Sequence, residues 1–287
     1  MNIRIVRKKI KSIKNVRKIT KAMQMVSAVK MKRAQQAEVE SRPYREGLTE
    51  LIKKISSRID PSQTEILQVD TSEAKKSLLI VITSNKGLAG AFNISVLRHL
   101  LRSDRNMEAT DFVTVGSKGA QFLGRLEKCS IAADFSSKTP INQTSAIFGF
   151  VLEKFFSGEY KSINIVYNQF ISTLKSEVIE DTILPLTLVD HDSTDKEKES
   201  NTEYMIEPSA HEILDQLLRS FIEQKIRGAL ISSEAVEHSQ RMMAMKSATD
   251  NASELIDDLT LLSNRLRQEK ITNELLDMIT AKESVEA

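Results

Sequence analysis

Few residues in this chain have the types and spacing that chemistry requires. A single cysteine, Cys129, excludes an internal disulfide framework and a Cys-rich zinc site. A catalytic thiol needs a depressed pKa and is not expected there. The four histidines, His99, His191, His211 and His238, show no HxxxH or HExxH spacing, so no metal centre is expected. Asp257 and Asp258 are adjacent in a helical stretch, and adjacent helical residues do not face each other, which argues against a paired-carboxylate site. The best phosphate candidate is the loop Ser84–Asn93, SNKGLAGAFN, which follows an apolar run and opens a helix. It is neither GxxxxGK[ST] nor GxGxxG, and a tight strand-to-helix turn built on Gly87 and Gly90 fits the spacing better. The methionines Met23, Met25, Met242, Met243 and Met245 read as core filling on helical stripes.

The stronger signal is charge. The chain carries 41 Lys+Arg and 39 Asp+Glu, a net of +2. That balance hides an asymmetry: residues 1–58 hold 17 basic and 4 acidic residues, net +13, and the remainder is net −11. No acid precedes Glu38, while 12 bases lie between Arg4 and Arg33. An ordinary solvated helix mixes signs to gain i,i+4 pairs, so this segment is built to meet negative charge. Nucleic acid, an anionic membrane surface and an acidic protein surface are the candidates. Residues 1–43 contain no aromatic side chain on which bases could stack. No apolar run reaches the roughly 18–20 residues of a membrane helix. The basic start, MNIRIVRKKIK, lacks the apolar segment of a secretory signal.

The elements that must position these groups follow from hydropathy periods. Apolar residues at Ile3, Val6, Ile10, Ile13, Val16, Ile19, Met23, Val26 and Val29 recur every three or four positions, and the stripe resumes at Leu48, Leu51, Ile52 and Ile55. The pattern predicts one helix over 1–58, bent near Pro43. Residues 59–76 read as loop. Apolar runs at 77–83, 112–116 and 162–168, with a fourth candidate at 178–186, predict strands; helical stretches at 94–103, 117–126 and 143–157 lie among them. A small open α/β sheet over 76–190 is expected. Residues 190–203 carry no large apolar side chain and read as an exposed loop. From Ser209 to Ala287 there is no proline and one glycine, so a second long helix is expected over 209–287. Within it Ala252, Leu255, Leu259, Leu262 and Leu266 alternate by three and four, a coiled-coil seam. Single helices of this length cannot bury a stripe alone, so the economical arrangement pairs the N- and C-terminal helices with each other and leaves the small open α/β domain as an insertion between them.

Three segments carry a family resemblance. IKSIKNVRKITKAMQMVSAVKMKRAQ (10–35), with SRPY at 41–44, resembles the opening helix of the gamma subunit of F-type ATP synthase. ITSNKGLAGAFN (82–93) is similar to the turn after the first strand of that family's central domain. HSQRMMAMKSATDNASELIDDLTLLSNRLRQEKITNEL (238–275) matches the family pattern R-M-x-A-M-x-x-A-T, N-A-x-E-L-I, N-R-x-R-Q-x-x-I-T-x-E. The chain departs from the pattern at Ser263, where an aromatic residue is common, and at Glu269–Lys270.

What the resemblance implies is an antiparallel coiled coil of the N- and C-terminal helices with an inserted small open, Rossmann-like α/β domain. Its role would be a rotor shaft with no active site or cofactor of its own. It would work with ATP synthase alpha, beta and epsilon subunits and the c-ring, on the cytoplasmic face of a bacterial cell membrane. The bases Arg4, Arg7, Lys8, Lys9, Lys11, Lys14, Arg17, Lys18, Lys21, Lys30, Lys32 and Arg33, with Met23, would face acidic lever loops of the beta subunits. Arg267 and Gln268 match the residues that catch a beta subunit. Tyr204 and Glu207 match the foot that faces epsilon and the rotor ring. Ile10, Ile13, Ile19 and Val26 would pack against Leu255, Leu259, Leu262 and Leu266. Two other readings stay open on residues alone: a basic coiled-coil nucleic-acid-binding protein, and a small nucleotide-binding enzyme built on Ser84–Asn93.

Overall fold

The computed structural model describes residues 2–56, 65–69, 74–103, 105–136, 139–186 and 210–286. The element order is α1 (Ile3–Ser56), α2 (Glu65–Gln68), β1 (Lys76–Ile82), α3 (Phe92–Arg102), β2 (Thr110–Val115), α4 (Ser117–Leu123), β3 (Ser130–Asp134), α5 (Thr144–Phe156), β4 (Tyr160–Phe170), β5 (Ser176–Leu184) and α6 (Ala210–Glu286). Pro43 lies inside α1, which continues through it. The chain divides into two compact bodies: residues 1–28 with 241–287, and residues 29–240.

The larger body is built on a five-stranded sheet of order β3-β2-β1-β4-β5. β1 runs parallel to β2 and β4, β2 parallel to β3, and β5 antiparallel to β4. β1 is central, and after Lys76 and Ser77 it is apolar, as a strand covered on both faces must be; those five of its seven residues are buried. Leu78, Ile80 and Ile82 face one layer with Leu48, Ile52 and Ile55 of α1, Ile147, Val151 and Phe155 of α5, and Leu214, Leu218, Ile222 and Ile226 of α6. Leu79 and Val81 face the other with Val96 and Leu100 of α3 and Leu123. Helices on both faces thus sandwich the sheet. β3 is a strand that the hydropathy pattern does not predict. It is an edge strand, SIAAD, exposed along most of its length, and so lacks the apolar run that marks β1, β2 and β4.

At the strand N-terminal ends two polar side chains, Asp111 and Tyr160, are buried beneath an exposed Lys76. Asp111, 6% exposed, accepts from Lys76 Nζ (3.1 Å) and from the Tyr160 hydroxyl (2.9 Å) through Oδ2. Burial pushes the Asp111 carboxyl up, but hydrogen bonds from Lys76, Tyr160 and Ser130, with the Lys76 charge, outweigh it and hold the carboxyl below its ordinary value. Burial, then the same carboxylate, push the Tyr160 hydroxyl up. A depressed folded-state pKa contributes stability that is present above the unfolded value, about 3.9, and is lost as pH falls through the folded value. Asp111→Asn is therefore expected to flatten the fall in stability below about pH 4, measured as urea midpoint against pH.

The smaller body pairs the start of α1 with the C-terminal part of α6. Val6, Thr20 and Ser27 are buried on α1, and Met245, Ala252, Ile256 and Ser263 on α6. The Thr20 and Thr249 hydroxyls meet at 2.8 Å. Ile10, Ile13, Leu259, Leu262 and Leu266 are half-buried. The expected seam needs correction at three places: Ile19 (60%), Val26 (57%) and Leu255 (50%) are exposed. The α6 sequence supports two stripes that share Ala252, Leu259 and Leu266 and differ by one residue between them, and the covered one runs 245, 249, 252, 256, 259, 263, 266. It brings Ser263 inside where the leucine-based stripe does not. On α1 the buried positions likewise run through Thr20 and Ser27 rather than through Ile19 and Val26. Side-chain size alone does not choose between such registers; the helix facing them does.

Candidate functional site

In the smaller body, α1 displays Arg4, Arg7, Lys8, Lys9, Lys11, Lys14, Arg17, Lys18 and Lys21, all exposed; Met23 is half-buried. In the larger body Lys30, Lys32 and Arg33 are exposed as well. The ion pairs of α1 begin only at Glu38, with Arg45–Glu38, Arg42–Glu46 and Lys54–Glu50. The twelve bases therefore keep their charge for something outside the helix. Arg267 and Gln268 project from α6 into solvent. Tyr204 and Glu207 lie outside the described residues.

The second candidate, the loop Ser84–Asn93, sits at the C-terminal end of β1. The sheet order places a topological switch between β1 and β4, where open α/β sheets bind ligands. Here that crevice is filled by α6. Gln240 Oε1 accepts the Ala91 N–H (3.1 Å), the donor that a phosphate oxygen would take at the start of α3. Val236 packs with Ala89, Phe92 and Phe170. Inside the loop the Ser84 N–H donates to Asn93 Oδ1 (2.9 Å), and Asn85 Oδ1 accepts from the Ser117 N–H (3.0 Å). Gly90 has φ +56°, and a Cβ there would stand 3.2 Å from Gln240 Oε1. The loop is a strand-to-helix turn that also seats α6. Titration of the purified chain with magnesium-ATP is expected to show no saturable binding; binding with a defined stoichiometry would contradict the filled crevice.

The remaining reactive groups have structural settings. Burial pushes the Cys129 thiol up, away from the reactive thiolate. Its sequence neighbour Lys128 pairs with Glu108 at 2.9 Å. His99 stands 3.6 Å from Glu180, which also accepts from Asn164 at 3.0 Å and pairs with Arg105. Among the described residues, no group of three or more His, Cys, Asp and Glu side chains could hold a metal, and no helix is long and apolar enough to cross a membrane.

A cavity of about 310 Å³ lies between α1, α6 and the β4–β5 ribbon, lined by Glu38, Arg45, Tyr167, Asp181 and Lys225 among others. Its polar walls join elements far apart in sequence, and the hydropathy pattern does not reveal it. The one available signal is Gly228, the only glycine of α6. A Cβ at Gly228 would stand 2.5 Å from Arg45 Nη1, so the glycine lets the guanidinium lie against the helix and reach Glu38. Arg45 is a flexible side chain and can retreat. Gly228→Ala would gain about 1 kcal/mol of helix propensity and lose a partly exposed ion pair of up to about 1 kcal/mol. The expected result is a urea midpoint close to the parent's.

An unneutralised basic helix, a two-helix coil and an α/β body whose ligand crevice is filled by its own helix define an interaction protein. The family model for ATP synthase matches residues 2–285. The ATP synthase gamma chain of Desulforudis audaxviator (strain MP104C) is 37% identical over 295 residues, covering 99% of each chain. That of Geotalea daltonii (strain DSM 22248 / JCM 15807 / FRC-32) is 38% identical over 291 residues, with the same coverage. Among solved structures, the fold is similar to a chain of the Euglena gracilis mitochondrial ATP synthase rotor, with TM-score 0.64 and 17% identity, covering 94% of this chain and 98% of that one. The chain belongs to the ATP synthase gamma-chain family. These relatives give the nucleic-acid reading no support.

Proposed function

We propose that this chain is the central shaft of a rotary ATP synthase, coupling ion-driven rotation of a membrane ring to the conformational cycling of catalytic beta subunits. The observation that carries this reading is the acid-free, exposed basic run of α1. A rotor must meet several partners in turn on one surface. Field-driven attraction suits such a sliding contact better than a deep lock with one fixed pair. Acidic lever loops of beta subunits are the partner for Arg4–Arg33. Arg267 and Gln268 supply directional contacts to one beta subunit, and exposed side chains are free to do so. Tyr204 and Glu207 form the foot toward epsilon and the ring. In this arrangement residues 1–58 and 209–287 are the shaft and residues 76–190 the coupling domain. The chain itself stays peripheral, on the cytoplasmic face, as a noncatalytic part of an H+-transporting ATPase.

The test is reconstitution. This chain, mixed with matched alpha and beta subunits, is expected to give a defined complex whose magnesium-ATP hydrolysis depends on it and weakens on Arg267→Ala or Gln268→Ala. Failure to form a complex with partners that fold would overturn the proposal.

A further inference from the structure

The sheet body must pass torque between the β-sheet and α6, and most of that interface is apolar. Leu214, Leu218, Ile222 and Ile226 pack in one layer with strand residues, and Ala229 and Leu230 join them. Apolar packing resists separation but is non-directional, so by itself it opposes rolling of a helix only weakly. Three side chains on α6 make directional bonds to the β4–β5 ribbon instead. Lys225 Nζ donates to the Thr182 carbonyl (2.6 Å). Ser232 Oγ accepts the Phe170 N–H (2.8 Å). Ser239 Oγ donates to the Thr173 carbonyl (2.6 Å). Gln240 adds Nε2 to Ser176 Oγ at 3.3 Å.

The three positions are seven residues apart, which puts them on one face of the helix at every second turn. From Lys225 to Ser239 the helix rises about 21 Å. Thr182 lies well along β5, whereas Phe170 pairs with Ser176 at the turn end of the hairpin and Thr173 lies in the turn itself. Lys225 thus holds the ribbon on β5, and Ser232 and Ser239 hold its turn end. Each bond ends on a backbone group, which a side-chain rotamer change cannot carry away. Ser239 is buried, at 3% exposure, so water does not readily substitute there; Ser232, 8% exposed, lines the cavity between α1, α6 and the ribbon. A hydrogen bond weakens steeply once its angle closes, which makes it a restraint on rotation as well as on distance.

We infer that Lys225, Ser232 and Ser239 fix the rotational register of α6 on the β4–β5 ribbon and carry torque between sheet and helix. They are positioning residues that touch no nucleotide. The inference rests on the shaft reading and deepens it.

The experiment uses the complete ATP synthase assembled with this chain, in vesicles. The triple variant Lys225→Met, Ser232→Ala, Ser239→Ala is compared with the parent. Alanine is a better helix former than serine, so α6 itself is not weakened at those positions. ATP hydrolysis and ATP-driven membrane potential are read together, the second with a potential-sensitive dye that responds to whichever ion is pumped. Angular fluctuations of a probe on the sheet body are recorded with the catalytic head anchored and stalled. The expected result is hydrolysis close to parental, pumping per ATP reduced, and an angular variance wider by about two-fold. A variant that assembles normally and keeps parental variance and pumping per ATP overturns the inference. If the triple variant does not assemble, Ser232→Ala and Ser239→Ala are measured singly by the same variance, with the same two outcomes. Ser239→Thr, which keeps the hydroxyl, is expected to retain parental variance, whereas a purely packing role would make it as soft as or softer than Ser239→Ala. ATP hydrolysis that is the same in assemblies prepared with and without this chain would sink the shaft reading itself, a failure distinct from an unchanged variance.

Discussion

Replacing Gly116 with alanine is expected to cost about 4 kcal/mol or more, at the far end of the range for single substitutions. Gly116 sits between β2 and α4 with φ +108°, which L side chains rarely adopt. A Cβ there would stand 2.0 Å from the Thr83 carbonyl oxygen and 2.6 Å from its carbon. Both are backbone atoms, so no rotamer change relieves the clash. The end of β1 and the start of α4 would have to separate, and that junction carries several bonds. The Thr83 N–H donates to the Val115 carbonyl at 2.7 Å, and Thr83 Oγ1 accepts the Gly119 N–H at 2.8 Å. Gly149 is the control. It lies inside α5 with nothing within 4 Å of an added Cβ, so Gly149→Ala is expected to gain up to about 1 kcal/mol from helix propensity. Urea denaturation of the two variants decides the matter. Equal effects would mean that backbone crowding at the β1–β2 crossing is not what holds this junction.

The contrast explains what the sequence makes legible. Strong local periodicity is local information, and it predicts α1, α6 and the covered strands β1, β2 and β4 within a few residues. β3 is missed because an exposed edge strand has no apolar pattern to show. The coiled-coil register is only partly readable: two stripes on α6 satisfy the same three-four spacing, and the choice rests on which residues of α1 face it. The filled crevice is not readable at all. Gln240 meets Ala91 across 149 positions of sequence, and nothing in SNKGLAGAFN says that a glutamine of another helix takes the donor of α3. The loop's departure from phosphate-binding spacing points the right way, but the reason is tertiary. The basic face is the opposite case. A run of twelve bases without an acid is visible before any fold is known, and the structure adds that every one of them is exposed.

That exposure makes the largest functional effect testable. Substituting Arg4, Arg7, Lys8, Lys11, Lys14 and Lys18 with glutamine removes six charges without touching a buried residue. Glutamine and lysine have similar helix propensities, so α1 should persist, with circular dichroism as the check. Like-charge repulsion along the helix also falls, which favours the folded chain slightly. Assembly with alpha and beta subunits is a different matter. Electrostatic steering raises association rates by about ten-fold to a thousand-fold and is screened within a Debye length of about 8 Å at physiological salt. The variant is expected to associate at least ten-fold more slowly than the parent at low salt, with a flatter salt dependence. The two rates should converge near 1 M salt, where the Debye length is about 3 Å. Dissociation should change less, because exposed charges act mainly on encounter. Stopped-flow association across a salt series reads both slopes. Parallel salt slopes for parent and variant would show that the basic face of α1 does not guide assembly, and the acidic partner surface would have to be sought against another part of the chain.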